Sequence, residues 1–112
     1  MAELIEIMKA LGDKTRYHLL KLLLQHDLCV RTLAERLNIS ESAVSQHLKV
    51  LRQAEIVKGD KRGYYTHYYV NRSLLKDAAQ TILSLSQLEK APSICPSAKN
   101  NNKCHDGRCE NE

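Results

Sequence analysis

Val30–Arg52 reads VRTLAERLNISESAVSQHLKVLR, and the fold turns on how that stretch divides. Val30, Leu33, Ala34 and Leu37 recur at spacings of three, one and three, the stripe of a short amphipathic helix from about Val30 to Leu37. Asn38, Ile39 and Ser40 then form a tight connection. Ser40 or Glu41 opens a longer helix lasting to about Ala54. In this second helix Val44, Leu48 and Leu51 make an apolar side, and Ser42, Ser45, Gln46, Lys49 and Arg52 or Gln53 make the opposite one. That polar side holds short neutral groups rather than the Glu and Lys pairs of an ordinary solvated face. Two helices joined by a three-residue turn predict a helix-turn-helix, whose second helix enters the major groove while the first crosses the backbone.

Working outward, the period changes after Glu55 from helical to alternating. Ile56-Val57-Lys58 and Tyr64 to Val70 read as two strands, with Gly59-Asp60-Lys61-Arg62-Gly63 as the turn between them, so a β-hairpin with a basic tip follows the helix pair. Asn71 or Ser73 caps a further helix carrying Leu75, Ala78, Ala79, Ile82 and Leu85 and ending near Glu89. Upstream, Leu4, Ile5, Met8 and Leu11 predict a short helix stopped at Gly12. Asp13 caps another from about Lys14 to His26, with Tyr17, Leu20, Leu23 and Leu24 expected on one face. The fold class is mainly α with a small β-hairpin, a winged helix-turn-helix of four helices, two strands and a fifth helix.

A chain of 112 residues with 43% hydrophobic content supports one modest core. We place a single domain at residues 1–90. From Ala91 to Glu112 the chain has two prolines, three consecutive asparagines and almost no apolar side chains, so residues 91–112 are expected to be a tail that stays disordered unless something binds it. No stretch approaches the roughly 20 apolar residues of a membrane span. Glu3 and Glu6 precede any basic residue, unlike a secretory leader, so a cytoplasmic protein without membrane association is expected.

The charge is unevenly spread. Between Lys49 and Lys76 seven basic residues face two acidic ones, an excess of five in a chain whose whole net charge is +4. Such a local field suits a polyanion, and duplex DNA fits the helix pair beside it. Ser42 and Ser45 allow close approach to a groove, Gln46 can pair bidentately with adenine, His47 lies in the same helix, and Lys49 and Arg52 suit phosphates. Lys61 and Arg62 on the hairpin would reach the backbone or minor groove.

These residues carry a family resemblance. Asp27-Leu28-Cys29-Val30, Leu33-Ala34, Ser42 through Arg52, and the Arg62-Gly63 hairpin ending in Tyr68 resemble the ArsR/SmtB family of metal-responsive repressors over about residues 2–90. The resemblance implies a homodimer on palindromic double-stranded operator DNA, with the first and fifth helices forming the interface. Both helices carry more apolar surface than a 90-residue monomer core would consume. It also implies that Cys29 matches the first cysteine of the family's cysteine-valine-cysteine sensing motif. Arg31 stands at the second position, so that pair is incomplete. The family's other sensing site, of carboxylates and histidines on the fifth helix, is not matched, because Asp77 has no histidine partner there.

Four cysteines in a cytosolic protein point to metal binding or thiol chemistry rather than structural disulfides. Cys29 precedes the third helix, where the helix dipole and neighbouring Arg31 would favour the thiolate. Cys95, Cys104 and Cys109 in the tail could complete a metal set with it for a thiophilic ion such as arsenite, cadmium, lead or zinc. Sensing of thiol oxidation or persulfide is the alternative. An enzyme is not expected, since no nucleophile-base constellation, phosphate loop or redox cysteine pair is present. A protein-interaction module, the third reading, predicts no salt-dependent DNA binding, whereas an operator binder loses affinity steeply with added salt.

Overall fold

The computed structural model describes residues 3–92. Four helices come first: α1 Leu4–Leu11, α2 Lys14–Gln25, α3 Val30–Leu37 and α4 Glu41–Gln53. Strands β1 Val57–Arg62 and β2 Tyr65–Val70 form an antiparallel hairpin, and α5 Arg72–Ser86 follows. The predicted architecture is present element for element; the cysteines assigned to the tail, Cys95, Cys104 and Cys109, lie outside the described residues.

Local chemistry sets the helix starts. The Asp13 carboxylate accepts the Arg16 backbone N–H at 3.0 Å, Ser40 Oγ accepts that of Ala43 at 3.0 Å, and Asn71 Oδ1 accepts that of Leu74 at 3.3 Å. Each satisfies an N–H that a helix start leaves unpaired, for about 1 kcal/mol. Asn71 rather than Ser73 is thus the cap of α5; the Ser73 hydroxyl donates to Asn71 Oδ1 instead. The turn between α3 and α4 closes with Asn38 at φ 58°, its N–H bonding to the Glu35 carbonyl and that of Ile39 to the Ala34 carbonyl. This is a Schellman closure, and asparagine tolerates the left-handed conformation that it demands. Glu55 closes α4 the same way at φ 64°, with Ile56 N–H on the Leu51 carbonyl, although glutamate is strained there.

The core lies where α2, α3 and α4 meet the base of the hairpin. Leu19, Leu33, Val44, Leu48, Leu51, Ile56 and Val57 are its most deeply buried side chains. One face differs from expectation: Leu19, Leu20 and Leu23 are the buried side of α2, while Tyr17 is exposed with the Lys21 ammonium 5.7 Å from its ring centre. Leucines at 19, 20, 22, 23 and 24 nearly encircle that helix, so periodicity alone could not choose the face.

The hairpin is also tighter than its composition suggested. Gly59 through Arg62 belong to β1, paired in register from Val57↔Val70 to Arg62↔Tyr65, and the turn is only Gly63-Tyr64. Gly63 supplies φ 62° at the first turn position, which suits the twist of the flanking strands. Gly59 serves another purpose: a Cβ there would sit 3.0 Å from Thr66 Cγ2 and 3.3 Å from Tyr68 Cε1, so glycine admits the Tyr68 ring. Six-residue strands lift the tip roughly 20 Å from the core.

α5 is the least covered helix. Leu74 is its buried residue, whereas Ile82, Leu83 and Leu85 are about half exposed, as are Ile5 and Met8 of the adjoining α1. Among the described residues no helix is long and apolar enough to cross a membrane.

Candidate nucleic-acid interface

The two sides of α4 separate cleanly. Val44, Leu48 and Leu51 are buried, and Ser42, Ser45, Gln46, Lys49 and Arg52 are exposed on the other side, as their spacing predicted. The serines leave the middle of this surface low, and the Gln46 amide offers one donor and one acceptor in the plane needed for an adenine edge. His47 differs from its neighbours. It is half-buried, with Nδ1 3.4 Å from Nη1 of Arg16 on α2.

The hairpin continues this surface. Arg52, near the end of α4, has its guanidinium carbon 5.9 Å from the centre of the Tyr68 ring on β2, so a cation–π contact joins helix and hairpin. Lys61 and Arg62 are exposed at the outer end of β1. Arg62 shares its charge with Asp60 at 3.4 Å, an exposed pair of little energetic weight that a phosphate can displace. Tyr64 is wholly exposed at the apex. The sequence singled out neither Tyr64 nor Arg16, and no local pattern signalled the contact of Arg16 with His47.

Cys29 lies at the start of α3 and is exposed. Its Sγ is 3.4 Å from Thr32 Oγ1, and that hydroxyl, followed by the Thr32 backbone N–H, holds the thiol below its ordinary range. The direction agrees with the dipole argument, but the Arg31 side chain is not the cause. Its guanidinium lies 4.0 Å from Glu35, and Arg31 acts on the thiol through its backbone N–H. Cys29 borders a cavity of about 230 Å³ between the α2–α3 connection and β2, where His67 Nδ1 lies 2.9 Å from the Asp27 carboxylate. Among the described residues no group of three or more His, Cys, Asp or Glu side chains is placed to hold a metal ion. Cys29 by itself is therefore an incomplete donor set.

A helix pair with a groove-sized polar face, extended by a basic hairpin stacked against its second helix, defines a winged helix-turn-helix DNA-binding protein. Residues 13–58 match the model of the bacterial regulatory protein arsR family. The chain is 35% identical to the transcriptional repressor SdpR of Bacillus subtilis over 78 residues, 70% of this chain and 87% of that one. It is 32% identical to the arsenical resistance operon repressor of Staphylococcus aureus over 97 residues, 87% and 92% of the two chains. The chain belongs to the ArsR family and is a DNA-binding transcriptional regulator; these relatives are regulators rather than enzymes.

Solved structures agree. An ArsR-like transcriptional regulator from Rhodococcus sp. RHA1 superimposes with TM-score 0.69 at 30% identity, covering 75% of this chain and 79% of that one. The homodimeric winged helix-turn-helix domain Mb0332 of Mycobacterium bovis shares the fold, with TM-score 0.61 at 20% identity over 77% and 81% of the two chains.

Proposed function

We propose that the chain is a cytoplasmic, homodimeric repressor that holds a palindromic operator and releases it when a thiophilic metal or metalloid ion engages Cys29 together with Cys95, Cys104 and Cys109. The observation that carries the DNA half of this reading is the exposed row Ser42, Ser45, Gln46, Lys49 and Arg52, continuous with Lys61 and Arg62. Gln46 and the serines would read bases, and the basic residues would hold phosphates. The uncovered Ile5, Met8, Ile82, Leu83 and Leu85 support pairing through α1 and α5. Two copies of α4 would then meet half-sites one helical turn, roughly 34 Å, apart.

The sensing half draws support from the exposed Cys29, whose thiol is held below its ordinary range by Thr32, and from similarity to an arsenical resistance operon repressor. Thiolate donors suit arsenite, cadmium, lead or zinc. Cys29 adjoins both the first helix of the motif and the His67–Asp27 link to the hairpin, so a change there bears on both parts of the reading surface. A coupling of ~1–3 kcal/mol between the two sites would change operator affinity about 5- to 150-fold.

The test selects duplexes from a random pool with the reduced protein, then titrates the selected complex with each ion and with a persulfide. We expect a palindromic selection, steep loss of binding with salt, and release by at least one ion that is abolished in Cys29→Ser. Retention of the same sequences by a variant carrying Gln46→Ala, Lys49→Gln, Arg52→Gln and Arg62→Gln would overturn the DNA reading. Release of Cys29→Ser as readily as of the unaltered protein would overturn the sensor reading, and release by persulfide alone would replace ion binding with thiol oxidation.

A further inference from the structure

Arg16 stands at the junction of α1 and α2 and reaches across to α4. Its backbone N–H is held by the Asp13 carboxylate, its Nε–H donates to the Ala10 carbonyl at 2.6 Å, and Nη1 lies 3.4 Å from Nδ1 of His47. The Ala10 carbonyl belongs to the last turn of α1, one of the acceptors that a helix end leaves without an intrahelical partner. The guanidinium is thus anchored on α1 before it meets the imidazole.

A guanidinium has five donors, no acceptor and a permanent charge. Nδ1 of His47 must therefore be the acceptor, and a neutral ring then carries its proton on Nε2. Among the described residues the ring makes no other hydrogen bond. His47 sits beside the exposed Gln46, on the edge of α4 between the polar face and the side packed toward α1 and α2.

We propose that Arg16 is a positioning residue for DNA readout: bridging α1 to His47, it holds the imidazole in its Nε2–H form and so offers the duplex a donor next to Gln46. This rests on α4 being the helix that reads the groove. A donor at that place selects the acceptor edge of guanine, the N7 of adenine or the O4 of thymine, and opposes the exocyclic amines of adenine and cytosine. Lysine is no substitute, because one ammonium cannot span the Ala10 carbonyl and His47 as the planar fork does. Since the same side chain grips α1, the placement of α1 bears directly on what His47 can recognise.

Long-range proton–nitrogen NMR of the histidine-labelled free protein, at a pH where the imidazoles are neutral, tests the clamp without DNA. We expect His47 to show distinct Nδ1 and Nε2 signals of the Nε2–H form, averaged signals in Arg16→Met, and incomplete recovery in Arg16→Lys. The Arg16→Lys spectrum keeps the test decisive should Arg16→Met fail to fold. On the selected duplex, Arg16→Met and His47→Ala should each reduce discrimination against one base substitution roughly ten-fold, with the double variant no worse than either single one. The salt dependence should stay unchanged, because no phosphate contact is removed. Averaged signals in the unaltered protein, or losses that add, would overturn the clamp even where His47→Ala alone impairs discrimination. A single imidazole form whose removal leaves discrimination intact would overturn the placement of His47 at the interface, and the role of Arg16 with it.

Discussion

The two helices of the motif are closed in different ways. α4 has 13 residues, a serine cap at its start, a Schellman closure at its end, and three side chains buried at 1% exposure or less. α3 has eight residues and a similar closure at its end, but its start is Cys29, which makes no side-chain capping bond. The geometry of α4 is thus set at both ends by local bonds and along one side by the core. At the start of α3 the sulfur instead contacts Thr32 Oγ1 at 3.4 Å, a bond that a thiolate accepts more strongly than a thiol does.

The largest test of that contrast lies in the core. Leu48→Ala should cost about 2–5 kcal/mol in urea unfolding, whereas Leu37→Ala, at a half-buried position on α3, should cost clearly less. Equal losses would mean that the two helices are anchored alike.

The caps come next. Ser40→Ala should destabilise by about 1 kcal/mol, while Cys29→Ser, which installs a good cap on α3, should stabilise by up to about 1 kcal/mol in the same assay. A neutral or negative result at Cys29 would show that the thiol already closes α3. Glu55→Gly should raise stability by roughly 0.5–1 kcal/mol by relieving the left-handed strain behind α4.

The smallest effect is a pH dependence at the start of α2. The Arg16 backbone N–H holds the Asp13 carboxyl below the ordinary carboxylate value. A depressed folded-state value means that the contribution is present above the unfolded value and fades as the pH falls through the folded one. The stability gap between the unaltered protein and Asp13→Asn should therefore exist at neutral pH and close below about pH 4, followed by thermal melts across an acid series.

What could be read in the sequence follows the range of the interactions. Caps at Asp13, Ser40 and Asn71 and the 3-1-3 spacings act over one turn of helix, so element order, the motif and the exposed row from Ser42 to Arg52 were legible. The face of α2 was not, because its leucines satisfy several registers. The hairpin turn was misplaced because Gly59 and Gly63 are both turn signals by type, and only the packing of Tyr68 shows that Gly59 makes room rather than a bend. The Arg16–His47 contact spans 31 positions and left no periodic trace. At Cys29 the location was legible and the agent was not: Thr32, rather than the Arg31 side chain, tunes the sulfur.

The leucines and isoleucine left open along α5 bear on abundance. On the proposed pairing through α1 and α5, resistance to unfolding would depend on the number of molecules present, and the melting temperature would climb with protein concentration. At scarcity a chain so paired would be weakened as well as solitary, and supply itself would help decide how much of it stands folded.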